Sequence, residues 1–96
     1  MNYIAFWEFK PEDLDKVIEK TKHATAEREQ GTGKFPKFLF PSHSIGGEYK
    51  GFAIYENPTQ EQLMNVILHF SPEEKIRVIP IFESAKFVEQ YLKRKE

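Results

Sequence analysis

From Asn2 to Phe9 apolar residues occupy both phases of a two-residue period, with Tyr3, Ala5, Trp7 and Phe9 on one face and Ile4, Phe6 and Glu8 on the other. That pattern predicts a strand with two largely apolar faces. The period then lengthens. Lys10-Pro11-Glu12-Asp13 opens a helix, with proline near the first turn and acids at the positive end of the dipole. Leu14, Val17, Ile18 and Thr21 continue at helical spacing, followed by Ala24 and Thr25, while Glu12 and Lys16 sit four apart on the wet side. Gly31 and Gly33 stop this helix.

Alternation returns over Lys34 to His43, with Phe38 and Phe40 assigned to one side and Leu39 and His43 to the other. Pro36 and Pro41 cannot donate ladder hydrogen bonds, so this strand is predicted at an edge or with a bulge. Gly46-Gly47 then supplies the positive φ angles of a tight reversal into a third strand, about residues 48–56. Gly51 lacks a side chain within that strand, the mark of a bulge or of another group approaching closely. Phe52 and Ile54 point one way, Ala53 and Tyr55 the other.

Asn57-Pro58 reads as a cap with a first-turn proline, and Leu63, Val66, Ile67 and Phe70, with Met64 beside them, form the stripe of a second helix. Ser71-Pro72 ends it, Glu73-Glu74 reads as an acidic turn, and Lys75 to Phe82 as a last strand interrupted by Pro80. Ser84 is placed as the cap of a terminal helix striped by Phe87, Val88, Tyr91 and Leu92 and closed by Lys93-Arg94-Lys95. The order is the split βαβ pattern of a ferredoxin-like α+β domain, a four-stranded antiparallel sheet with an added C-terminal helix, over residues 1–96 as one domain. Such a sheet carries helices on one face, yet these strands are apolar on both. A homodimer that pairs the open faces, as a shared barrel or a sheet-on-sheet sandwich, is the expected resolution.

Composition sharpens this picture in two places. Aromatic residues make up 15% of the 96, more than one small core hides, so some rings are expected at a pocket or an interface. A net charge of −1 without a basic block disfavours nucleic acid as a partner. The chain has no cysteine, which removes disulfides, thiolate metal sites and a Cys nucleophile. No N-terminal signal pattern is visible, and no run approaches the roughly 18 apolar residues of a membrane span, so a cytoplasmic protein without a membrane partner is expected.

Phe9-Lys10-Pro11-Glu12, His43-Ser44-Ile45-Gly46-Gly47, Gly51-Phe52-Ala53-Ile54-Tyr55-Glu56 and Val78-Ile79-Pro80-Ile81 together resemble a family of small prokaryotic domains of unknown function. That family is similar in fold to the dimeric α+β barrel superfamily, which includes antibiotic-biosynthesis monooxygenase-like proteins. The resemblance runs from residue 2 to about 90 and implies the dimeric barrel, but it brings no reaction with it. At Ser42 the chain departs from the family pattern, which often has Trp before the hairpin His.

Five residues are the candidates for ligand binding. His43, beside the glycine turn, has an imidazole able to donate to a ligand or move a proton near neutral pH; its structural alternative is a bond to a turn carbonyl. Trp7, Tyr3 and Tyr55 are aromatic walls for a flat organic molecule or, alternatively, core and interface. Glu56 is an acid or base or, alternatively, a solvated residue ahead of the next helix. Arg77, within an apolar strand, is matched to a carboxylate, with Glu8 on a neighbouring strand as its internal alternative. His23, His43 and His69 lack metal-ligand spacing, Gly46-Gly47 leads into no helix as a phosphate loop would, and Ser42 and Ser44 form no nucleophile elbow. No cofactor is implied, because Asn2, Trp7 and His43 do not match the spacing of a haem-degrading relative. Two functions stand open: a small-organic-ligand binder with an aromatic pocket between sheet and helices, without an assigned reaction, and a non-catalytic dimeric interaction or regulatory module.

Overall fold

The alternating runs form four strands, β1 (Asn2–Phe9), β2 (Phe38–Ser44), β3 (Lys50–Tyr55) and β4 (Glu74–Ile81), in a computed structural model that describes residues 1–95. Three helices, α1 (Leu14–Glu29), α2 (Gln60–Phe70) and α3 (Ser84–Arg94), complete the chain. The strands lie in the order β2-β3-β1-β4 with every neighbouring pair antiparallel, which is the ferredoxin-like α+β arrangement. Within one chain the sheet stays open, with β2 and β4 as its edges.

Register divides the sheet into two chemically different faces. On the helix-covered face Ala5 pairs with Ala53 and Val78, and Tyr3 with Tyr55 and Pro80. The small side chains of Ala5 and Ala53 let the helices come close, and the core closes over them with Ala24, Phe35, Tyr55, Val66 and Phe70. Trp7 pairs with Gly51 on the same face, and its indole fills the space that a Gly51 side chain would need. A Cβ there would overlap both that ring and the His43 carbonyl, so the close approach expected at Gly51 is made by Trp7.

Several expectations shift by local chemistry. Residues 34–37 belong to a loop rather than to β2. Arg28 Nε donates to the Pro36 carbonyl at 3.0 Å, Gln62 to the Gly33 carbonyl and Asn65 to the Lys34 carbonyl, so side chains from both helices hold this backbone. Register shifts on either side of Phe40 then place Phe38 opposite Tyr55 on the helix face and Phe40 opposite Ile54 on the other, not on one side together. β2 is both an edge strand and a bulged one, as Pro41 required, while Pro36 falls outside it. In the reversal that follows, Gly46 alone carries a positive φ, at 55°.

The cap of α2 is Thr59, not Asn57: its hydroxyl accepts from the Gln62 N–H at 3.0 Å while the Gln62 side chain accepts from the Thr59 N–H at 3.0 Å. Ser84 is the first residue of α3, preceded by Glu83, which makes no side-chain cap bond. Of the α1 stripe, Val17 and Ala24 are buried, whereas Leu14 and Ile18 are exposed. Glu12 and Lys16 make no ion pair among the described residues; Lys20 instead bridges to Glu73 and to the Ser71 carbonyl, tying α1 to the end of α2.

Candidate functional site

The uncovered face of the sheet is ordered in rows across the strands. Lys50, Glu8 and Lys75 align in one row, and Phe52, Phe6 and Arg77 in the next, with His43 beyond Phe52. Ile54, Ile4 and Ile79 form a third row, with Phe40 beyond Ile54. The face therefore runs from charged through aromatic to aliphatic along the strands. Phe40 reaches from its own row onto the aromatic one: the Phe40 and His43 rings lie 4.4 Å apart at 15°, and Phe40 and Phe52 lie 5.9 Å apart at 11°. At the other side the Arg77 guanidinium sits 5.6 Å from the centre of the Phe6 ring. Arg77 takes this ring as its neighbour and makes no ion pair with Glu8.

A recess of about 420 Å³ opens at the charged end, lined by Phe6, Glu8, Ile45, Lys50, Lys75 and Arg77, with Trp7 at its margin. Three cations face one carboxylate in this lining, and Lys50 is already paired with Glu48 at 2.9 Å. That pairing holds Lys50 above its ordinary pKa. Arg77 and Lys75 line the recess without an ion-pair partner among the described residues, and Phe6 offers a flat apolar surface beside them. The arrangement suits a small organic molecule carrying an acidic group.

The five sequence candidates do not converge. Tyr3 and Tyr55 are register partners on the helix side, and Tyr55 is buried in the core, where desolvation pushes its phenol up to about 12 against the opposing pull of Arg28. Trp7 donates its indole N–H to Ser42 Oγ at 2.7 Å, so the residue at the departure from the family pattern anchors the ring across two strands. His43 lies on the opposite face, exposed, with Nδ1 2.7 Å from the Pro41 carbonyl. A carbonyl cannot donate, so Nδ1 carries a proton and donates it to the Pro41 carbonyl. Glu56 is exposed past the end of β3, where its backbone N–H donates to the Lys37 carbonyl. Of the five, Trp7 alone borders the recess, and that recess lies on the face away from the helices. The layer between sheet and helices, where the pocket was expected, holds the packed core instead.

One ionisable residue was missed. Glu74 was read as part of a turn, but it opens β4 in phase with Ile76 and Val78 and turns inward at 8% exposure. Burial pushes its carboxyl up to about 7, with Lys20 pulling the other way. Extending the two-residue alternation of β4 back by one step would have found it. Among the described residues no group of three or more His, Asp or Glu side chains is placed to hold a metal ion, and no helix is long and apolar enough to cross a membrane.

Over residues 1–95 the chain matches the family described as a domain of unknown function (DUF3303), and it belongs to that family. No curated protein matches it.

Proposed function

We propose that this member of the DUF3303 family is a homodimeric α+β barrel protein that binds a small organic anion, in the cytoplasm, at the charged end of its uncovered sheet face. The observation that carries the reading is the composition of that face. Ile4, Phe6, Phe40, Phe52, Ile54 and Ile79 lie together on it, uncovered by any helix of the chain. A contiguous apolar face of this kind is a surface suited to contact with another chain. Stacking two such faces buries the aromatic and aliphatic rows and leaves the row of Lys50, Glu8 and Lys75 at the mouth of the shared barrel. His43 stacks on Phe40 and lies near Phe52 on this face, with Nδ1 bonded to the Pro41 carbonyl. No reaction is assigned to it.

The test uses 1-anilinonaphthalene-8-sulfonate, a flat aromatic anion, titrated into the wild type and Arg77→Ala while mass is followed by light scattering. A dimer that binds the probe at least tenfold more weakly after the substitution is expected, since one charge-assisted contact is worth about 1.5–3 kcal/mol. Equal binding by both proteins would remove the recess as the site, and a monomeric wild type would remove the dimer. A second reading, a non-catalytic interaction or regulatory dimer, draws on the packed layer between sheet and helices. A dimer that ignores the probe would favour it.

A further inference from the structure

Helix α3 is amphipathic and has nothing beneath it. None of its residues is buried, and Phe87, Val88, Tyr91 and Leu92 stand more than half exposed in one stripe, with Phe82 at 67% just before them. The chain extends 55 Å along its longest axis against 31 and 19 Å across, and its radius of gyration is 15.7 Å. A chain of this length folded upon itself has a radius near 12–13 Å. The excess is that of an arm held away from the body.

Local forces do not account for such a helix. Eleven residues are too few for stability in water. Glu83 supplies no side-chain cap bond, and the pairs Lys86–Glu83 and Lys93–Glu89 are exposed contacts of 4.0 and 3.6 Å that add little. The stripe needs an apolar surface to lie on. The arm leaves from the aliphatic end of the uncovered sheet face: Ile79 and Ile81 of β4 lead directly into Phe82, beside a groove of about 450 Å³ lined by Met1, Leu39, Ile81, Phe82 and Lys86.

We infer that α3 is a clasp that packs on a second copy of this chain, each arm crossing from the aliphatic end of its own sheet onto its partner. The inference rests on the proposed homodimer and adds to it the element that holds the two copies together. Area supports this occupant. With aromatic side chains bringing about 150–250 Å² each, the five residues from Phe82 to Leu92 carry about 500 Å² of exposed apolar surface per arm. Two reciprocal arms and the surfaces they cover would remove about 2,000 Å² from water, the scale of a stable interface before any sheet contact is added. Another protein or an anionic lipid surface, drawn by Lys93, Arg94 and Lys95, are the competing occupants.

The experiment compares the wild type, the double variant Phe87→Glu with Tyr91→Glu, and the sheet variant Phe52→Glu by sedimentation over a range of concentrations. Hydrogen exchange of residues 84–94 is read on the same samples. Both substituted arm residues are exposed, so circular dichroism should show the body unchanged. The expected result is a wild-type dimer whose 84–94 amides lose protection on dilution, together with dissociation at least tenfold easier in the arm variant. An arm variant that dimerises like the wild type, or amides equally protected in monomer and dimer, would overturn the clasp while leaving the sheet-paired dimer intact. Unprotected 84–94 amides in the dimer, with protection gained only on adding anionic vesicles, would assign the arm to a membrane surface instead. A wild type that stays monomeric, like Phe52→Glu, would take down the dimer itself and the clasp with it.

Discussion

Glu74→Gln tests whether a carboxyl group is enclosed beneath the helices. Glu74 is 8% exposed and titrates at about 7 rather than 4.5, because burial penalises the charged form more than Lys20 stabilises it. In the unfolded chain the same group releases its proton near the ordinary value. Between the two values the native state binds more protons than the unfolded state, so stability is complete below about 4.5 and falls as pH rises through 7. At about 1.4 kcal/mol per pH unit the full interval corresponds to about 3 kcal/mol, and residual solvent contact trims it to about 2–3. Glutamine keeps the shape and has no proton to lose.

Urea unfolding followed by Trp7 fluorescence at pH 5 and pH 8 reads the effect. With a slope of about 1 kcal/mol per molar urea, the wild-type midpoint should drop by about 2 M relative to the Glu74→Gln midpoint between the two conditions. Glu27 and Glu73 do not confuse the comparison. Hydrogen bonds from Thr32 and Lys20 respectively hold them below the ordinary carboxylate value, so their stabilisation is lost only in more acid solution. A midpoint difference between the two proteins that is the same at pH 5 and pH 8 would refute the reasoning, because it would mean that Glu74 ionises as freely in the native state as in the unfolded one.

Three further outcomes follow from the packing. Gly51→Ala should lower stability by about 2–3 kcal/mol, at the upper end of overpacking costs because the added carbon meets the His43 carbonyl as well as the Trp7 ring; an unchanged melting temperature would place the indole elsewhere. Thr59→Ala should cost about 1 kcal/mol through the capping box, and a double-mutant cycle with Gln62→Ala should show the two losses coupled, whereas additive losses would mean the reciprocal bonds do not form. Tyr55→Phe should delete a phenolate absorbance step near pH 12, and a step lost at lower pH would show that the ring is not enclosed.

The order of elements and the topology were legible because the period switches cleanly between two and 3.6 residues. The misreadings came where a single residue competes with its neighbours. Thr59 displaced Asn57 as the cap because Gln62 stands three residues on and can return the bond, a pairing that the more conspicuous Asn57-Pro58 hid. Phe38 and Phe40 parted because bulged pairing around Phe40 changes the phase of the strand, which alternation alone cannot announce. The candidate site was less legible than the fold. Which strand residues are aromatic is plain in the chain, but which of them share a face with a cation depends on register between β1, β3 and β4. His43 and Arg77 enter one row only through that pairing.

Residue size decides which side of the sheet the helices take. Both phases of β1 and β3 are apolar, so hydrophobicity alone does not choose between them. One phase sets Ala5, Gly51 and Ala53 side by side, and the other sets Ile4, Phe6, Phe52 and Ile54. Helices carrying Ala24, Val66 and Phe70 can press against the first and would be held off by the second. At the centre of the sheet the chain therefore closes its core over the small residues, with Tyr55 beside them, and leaves Ile4, Phe6, Phe52 and Ile54 on the other side. The outer phase loses the most on exposure, and it is continuous with the arm that begins at Phe82. If the two faces were equivalent, Phe6→Lys would cost no more in dimer affinity than Ala5→Lys costs in folding. The packing instead separates the two effects: Ala5→Lys should unfold the domain, while Phe6→Lys should leave a folded monomer, and a folded dimer with unchanged affinity in the Phe6 variant would show that the bulky face is not where two copies meet.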